Sequence, residues 1–200
     1  MAANAYTTKL QAVNTILSVV GQAPRNSLTG SQTSEDRLAL SILDEVIREV
    51  CIRGWHFNTE EDVPLVPDND GFITVPGNWG RVDLDVSRYP TKNVVIKDGR
   101  LYDKDGRTFV WGSTVNATLV YLLDYEELPE LARQYTMIRA ARKFQERAQG
   151  SVQHAQFTAR DEAQAYANLR HGEAQDSDRT IFDNWGVARV VFRGYPGVNW

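Results

Sequence analysis

The 200-residue chain has one cysteine, Cys51. No intrachain disulfide can form, so folding needs no oxidising compartment. Its three histidines, His56, His154 and His171, have no second histidine at helical spacing and no cysteine pair nearby. A zinc site needs ligands that converge, so neither a metal nor a cofactor is expected. There is no apolar run of about 18 residues, the length a membrane-spanning helix needs. The opening Met1-Ala2-Ala3-Asn4-Ala5-Tyr6 lacks the charged start and apolar core of a signal peptide. Gly21, Gly30 and Gly54 are too scattered to build a phosphate loop. A basic excess is missing too: 22 Lys and Arg stand against 26 Asp and Glu, a formal charge of -4. No global field therefore draws in nucleic acid. These absences leave a globular protein folded in a cytoplasm, as one domain or one domain with a large insertion.

What is present reads as helix at both ends of the chain and strand in the middle. Leu10, Val13, Ile16, Leu17 and Val20 recur on one helical face, stopped by Gly21 and Pro24. A second helix is predicted from Thr33 or Ser34 to Arg53-Gly54, with Leu38, Ile42, Leu43, Val46, Ile47, Val50 and Cys51 as its buried stripe. The period changes at Trp55. Val94–Lys97, Asp98-Gly99 and Arg100–Tyr102 predict a hairpin with a two-residue turn. Val115, Ala117, Leu119 and Tyr121 alternate with Asn116, Thr118 and Val120, as in a strand with one buried face. Helical period returns at Leu128, with Leu131, Tyr135, Ile138, Ala141, Phe144 and Ala148 on one side. A fourth helix is expected over residues 151–170, packed through Ala155, Ala159, Ala163 and Tyr166.

The expected fold is α+β. A four-helix antiparallel bundle (residues 1–55 and 122–171) carries an inserted antiparallel β unit (56–121) and an extended C-terminal tail (172–200). Each helix is amphipathic, so the helices bury their stripes against one another. Gly54, Trp55 and Phe57 mark the junction of bundle and sheet, where large aromatics suit a seam.

Little catalytic chemistry is legible. Asp68-Asn69-Asp70-Gly71 and Asp103-Lys104-Asp105-Gly106 lack the other ligands of a calcium loop and read as turns. Glu60-Glu61-Asp62 and Glu126-Glu127 flank the β unit and read as solvated acids; a glycosidase would need two carboxylates across one cleft. Cys51 reads as a buried small hydrophobe. The third helix is basic, with Arg133, Arg139, Arg142, Lys143 and Arg147. The readings are nucleic-acid contact, a solvated face, or pairing with acids of a neighbouring helix or subunit. The acidic total favours the last two.

Several segments carry a family resemblance. They are Ala12–Pro24, the stretch Arg53-Gly54-Trp55-His56-Phe57-Asn58-Thr59-Glu60-Glu61, then Asp98–Asp103, Tyr125–Glu130 and Arg139–Gln145. In this order, over roughly residues 10–170, the chain resembles the tail tubular protein A family, the head-to-tail adaptors of short-tailed bacteriophages. The resemblance implies a structural virion protein and no enzyme. It implies a homo-oligomeric ring, usually of twelve subunits, between the portal and a tail nozzle of the tail tubular protein B type, with double-stranded DNA passing through unbound. Arg133, Arg139, Arg142, Lys143, Arg147, Asp161 and Glu162 are then candidates for the subunit interface. Phe182, Trp185, Arg189, Phe192, Arg193, Tyr195 and Trp200, in a tail where the family pattern is lost, are candidates for the portal contact. The alternative is a tail-associated enzyme degrading capsule polysaccharide.

Overall fold

A computed structural model describes residues 6–30, 32–149 and 158–176. Along these run α1 (Lys9–Ser18), α2 (Ser34–Cys51), β1 (Thr59–Leu65), β2 (Trp79–Leu84), β3 (Val94–Lys97), β4 (Arg100–Asp103), β5 (Val115–Tyr121), α3 (Glu130–Gln149) and α4 (Ala159–Asp176). The fold is mixed α+β.

The helix ends follow local chemistry. Thr8 and Gln11 cap the start of α1 reciprocally, as Thr33 and Asp36 do for α2, so two orphan N–H groups are satisfied at each start. Of the two candidate caps for α2, Thr33 holds the position. Past α1, Gly21 takes φ +75. The Gln22 and Gly21 N–H groups return to the carbonyls of Leu17 (3.2 Å) and Ser18 (2.9 Å), a Schellman closure.

The helices share one core. Val13, Ile16 and Leu17 of α1 meet Ile42, Leu43, Val46 and Cys51 of α2; α3 adds Tyr135, Ala141 and Phe144, and α4 adds Leu169. α3 touches the other three helices. Two parts of the sequence reading are corrected here. On α3, Leu131 and Ala148 are exposed, and Ala132, Ala140 and Gln145 are buried instead. The helix has three neighbours, so more than one stripe is covered. On α4, Thr158 caps the start by exchanging hydrogen bonds with Asp161, and the helix runs on to Asp176. Ala165 and Leu169 are its buried positions, whereas Ala159 and Ala163 face solvent. Gly172 therefore lies inside a helix rather than in a tail, and a side chain there would collide with Leu131 Cδ1. The expected start at residue 151, with Ala155, lies outside the described residues.

The strands build a second core. β5 is the centre of an antiparallel sheet in the order β1-β5-β2, and β3 and β4 form a separate hairpin. Leu65, Val82, Leu84, Leu101, Trp111, Val115, Ala117 and Leu119 pack together. The hairpin is the one expected: Lys97 pairs with Arg100, and Asp98 and Gly99 take φ +51 and +68, as a type I′ turn requires. The alternation on β5 fails at Val120, which is 1% exposed. It lies on the opposite face from Leu119 and is covered by the chain around Gly54.

Candidate interaction surfaces and the helix–sheet seam

The seam is built at the end of α2. The last carbonyls of a helix have no intrahelical donor. Here the Arg53 and Gly54 N–H groups reach the Val50 and Cys51 carbonyls at 3.3 and 3.1 Å, and side chains from just beyond the turn add a second donor to each. Trp55 Nε1 donates to the Val50 carbonyl at 2.8 Å. Asn58 Nδ2 donates to Cys51 O at 2.8 Å and to Tyr121 O at 2.6 Å, while its Oδ1 accepts the Trp55 N–H at 2.8 Å. Asn58 is 2% exposed. Every part of its amide is used to tie helix, turn and central strand together. The sequence reading missed it, because an asparagine in a polar run carries no periodic signal.

Gly54 makes the reversal at φ +74, and a Cβ there would stand 2.9 Å from Arg81 Nη2 and 3.2 Å from Val120 Cγ2. Trp55 and Phe57 are half-buried and pack against the helical core. Their rings lie 6.4 Å apart and nearly parallel, and the Trp55 ring meets Tyr166 of α4 edge-on at 6.1 Å. A cleft of about 690 Å³ opens beside them, lined by Gly54, Trp55, His56, Arg81, Arg170 and Glu173, among others. Glu173 accepts the His56 N–H at 2.7 Å; burial holds its carboxyl above the usual range.

The cations of α3 are spent inside the subunit. Arg139 reaches Glu49 of α2 at 2.9 Å and Glu162 of α4 at 2.5 Å. Lys143 spans Glu49 (2.5 Å) and Glu45 (3.1 Å), and Arg147 reaches Glu45 at 3.1 Å. Arg142 Nε stands 2.6 Å from Glu162 Oε2, an ion pair outside hydrogen-bonding geometry. Burial works against the Arg139 charge, but its hydrogen bonds to Glu49 and Glu162 outweigh that and raise its pKa. Pairing with acids of neighbouring helices is thus what this face does within one chain.

Arg133 is a separate case. It is 6% exposed, lies over the Tyr6 and Tyr125 rings, and donates to the carbonyls of Leu128 (2.7 Å) and Thr7 (2.9 Å). It clamps the segment at Tyr6 and Thr7, just before α1, to the start of α3. Asp161 serves its own helix as part of the Thr158 cap.

The carboxylates flanking the β unit have structural partners. Glu60 accepts the Tyr121 hydroxyl at 3.0 Å. Asp62, at φ +62 in the β1 bulge, pairs with Arg88 and accepts from Asn116. Glu126 accepts the Lys9 N–H, and Glu127 the Asp124 N–H. Asp68 accepts the Asp70 and Phe72 N–H groups, closing a turn as expected. Asp103 does more than its sequence reading as a turn: it is fully buried and holds Lys92 at 2.6 Å. Cys51 is buried, and burial pushes its thiol pKa up. Among the described residues no three His, Cys, Asp or Glu side chains gather as metal ligands, and no helix is long and apolar enough to cross a membrane.

The family model described as tail tubular protein matches residues 10–179. The chain belongs to the tail tubular protein family. Tail tubular protein A of Klebsiella phage KP34 is 32% identical over 124 residues, which cover 62% of this chain and 64% of that protein. This tail tubular protein is accordingly a structural component of a phage tail. The region matched by the family model takes in α1 from its second residue, α2, α3, α4, the β unit and the Asn58 seam. The candidate portal residues Phe182, Trp185, Arg189, Phe192, Arg193, Tyr195 and Trp200 lie outside the described residues.

Proposed function

We propose that this tail protein is the adaptor subunit between portal and nozzle, assembled as a ring of the twelve-fold order that the resemblance implies, through which double-stranded DNA passes without specific binding. In that reading residues 1–55 and 122–171 act as a four-helix bundle carrying the β unit 56–121, and the tail reaches the portal. The observation that supports it most is the internal neutralisation of α3. With Arg139, Arg142, Lys143 and Arg147 paired to Glu45, Glu49 and Glu162, no free basic row is left on this face to retain phosphate. A DNA conduit gains from that, since each neutralised phosphate adds affinity and slows release.

The subunit contact in this proposal uses the outer charges of the α3–α4 side. Arg147 and Arg142 keep part of their surface, and Asp161 is exposed. Arg133, Arg139, Lys143 and Glu162 contribute by holding the helices that present them. Complementary charge fixes register between copies more than it adds affinity, and a head-to-tail contact closes into a ring. The portal contact in this proposal uses Phe182, Trp185, Arg189, Phe192, Arg193, Tyr195 and Trp200, since aromatics and arginines anchor interfaces. The test is to mix the purified protein with portal and image the particles. A ring seated on the portal supports the adaptor reading. A monomer that never associates with portal, or tight salt-sensitive DNA binding by the free protein, overturns it.

A further inference from the structure

The cleft at the seam has two walls, and each carries both signs of charge. The sheet supplies the first. Thr59 and Arg81 flank Val120 in one cross-strand row, on the face opposite the core residue Leu119. Arg81 Nη2 lies over Gly54, 2.9 Å from the place a Cβ would take, and Glu61 lines the same wall. The second wall is the last turns of α4, with Arg170 and Glu173. Neither the Arg81 nor the Arg170 side chain has a hydrogen bond or ion pair among the described residues. The Thr59 hydroxyl, which is buried beside the cleft, has no partner among them either.

A second mixed-charge surface lies at the other end of α4. Arg142 reaches Glu162 at 2.6 Å, so the end of α3 stands beside the start of α4. There Glu146 and Arg147 keep 59% and 48% of their side-chain exposure, and Arg160 and Asp161 are exposed. From Arg160 to Glu173 the helix rises about 20 Å, so the two patches sit at opposite ends of α4. A phosphodiester chain, negative at every step, suits neither patch. In the cleft it would meet Glu61 and Glu173 as well as the arginines. A protein surface bearing both signs suits each of them.

We propose that the cleft receives the α3–α4 corner of a second copy of this chain, with Glu146 of that copy set against Arg81 and Arg170. This rests on the adaptor reading, and it gives the outer charges of α3 and α4 the surface that they meet in the ring. A contact between two different patches of one subunit is head-to-tail, and it repeats from copy to copy until the ring closes. A guanidinium grips a carboxylate through two parallel hydrogen bonds, and two guanidiniums without partners stand ready here. An entering polar group also relieves the buried Thr59 hydroxyl, which is costly to leave unpaired.

Charge reversal in the full chain tests this, with the mass of the ring formed on portal as the readout. One variant carries Arg81→Glu and Arg170→Glu together, and the other carries Glu146→Arg. Each alone should lower ring yield at least about tenfold, since like charges then face each other, while keeping the parent's melting curve. An equimolar mixture of the two should restore rings. Alternating copies then set every reversed cleft against a reversed position 146 and every native cleft against a native Glu146. Mixing cannot rescue a subunit that is merely unfolded. If the reversed cleft unfolds the subunit, Arg81→Gln with Arg170→Gln takes its place, and a parental ring yield there overturns the proposal. Parental ring yield from either reversal alone, or a mixture that fails to restore rings, overturns it too and leaves the adaptor reading intact. A parent chain that forms no ring on portal sinks the adaptor reading itself, and this contact with it.

Discussion

Asn58 donates a hydrogen bond of 2.6 Å to the carbonyl of Tyr121, a residue 63 positions further along the chain. The same nitrogen caps the Cys51 carbonyl, so one buried amide fixes where the central strand lies against the helix. Replacing Asn58 by Ala takes the side-chain donor from the Tyr121 and Cys51 carbonyls, of which Cys51 keeps the Gly54 N–H at 3.1 Å, and removes the acceptor of the Trp55 N–H. Each buried orphan costs about 1–3 kcal/mol, and a loss of about 3 kcal/mol in all is expected. Asn58→Asp should fare little better, since a carboxylate cannot donate. Urea unfolding of both variants checks this; a loss below about 1 kcal/mol would mean the seam is held by something else.

Gly54→Ala should destabilise by about 1–3 kcal/mol, because φ +74 strains an L-residue and the new methyl crowds Arg81 and Val120. Gly77→Ala is the control. It has open space around its Cβ position and no positive φ, and should leave the melting temperature within a degree or two.

The half-buried Trp55 fills part of the helical core and bonds Val50 O. Trp55→Ala is expected to cost about 3 kcal/mol, at the low end for a truncated aromatic because the ring is partly exposed. Phe57→Ala should cost less, as Phe57 has no polar tie. Melting curves that match the parent for both would show that neither ring supports the seam.

The charges of α3 should separate folding from assembly. Arg139 has two carboxylate partners and keeps 23% of its side-chain exposure. Arg139→Met should lower stability by about 2–3 kcal/mol, less than a fully buried pair because solvent screens part of the charge. Arg147 is 48% exposed, and Arg147→Glu should cost under about 1 kcal/mol. If the outer charges set the ring contact, Arg147→Glu alters ring mass or salt sensitivity while the subunit stays folded. An unchanged ring removes Arg147 from the contact.

Acid should loosen the protein through the same helices. Hydrogen bonds from Arg147 and Lys143 lower the pKa of Glu45. Burial raises that of Glu49, but bonds from Lys143 and Arg139 outweigh it and leave it lowered. The backbone N–H of Thr33 and the guanidinium of Arg25 lower Asp36. Each therefore binds a proton less readily folded than unfolded. The stability they contribute is fully present above the ordinary carboxylate range of about 4–4.5 and is lost as pH falls through the lower folded values. Glu173, raised by burial, has the opposite sign and favours the folded state toward acid. Denaturant midpoints should stay level from pH 7 to about 5 and fall below about 4. Glu49→Gln should flatten that fall; an identical acid limb in this variant would assign the loss to other groups.

By itself the sequence determined most of the element order. Periods of 3.6 and 2, capping residues such as Thr33, and turn pairs such as Asp98-Gly99 act over a few neighbouring residues, so they are readable in one dimension. They placed α1, α2, the β3–β4 hairpin and β5, and the motifs around Gly54 pointed to the family. Only the tertiary structure decided which faces are covered. α3 has neighbours on three sides, so its buried set is wider than one stripe and leaves Leu131 outside. α4 runs through Gly172, where the close approach to α3 uses the absent side chain that sequence alone reads as a break. The α2 partners of Arg139 and Lys143 lie 90 residues or more away, and the partners of Arg133 and Asn58 were equally invisible. A long-range pair has no local signature, because its energy exists only once the intervening chain has folded and brought the two groups together.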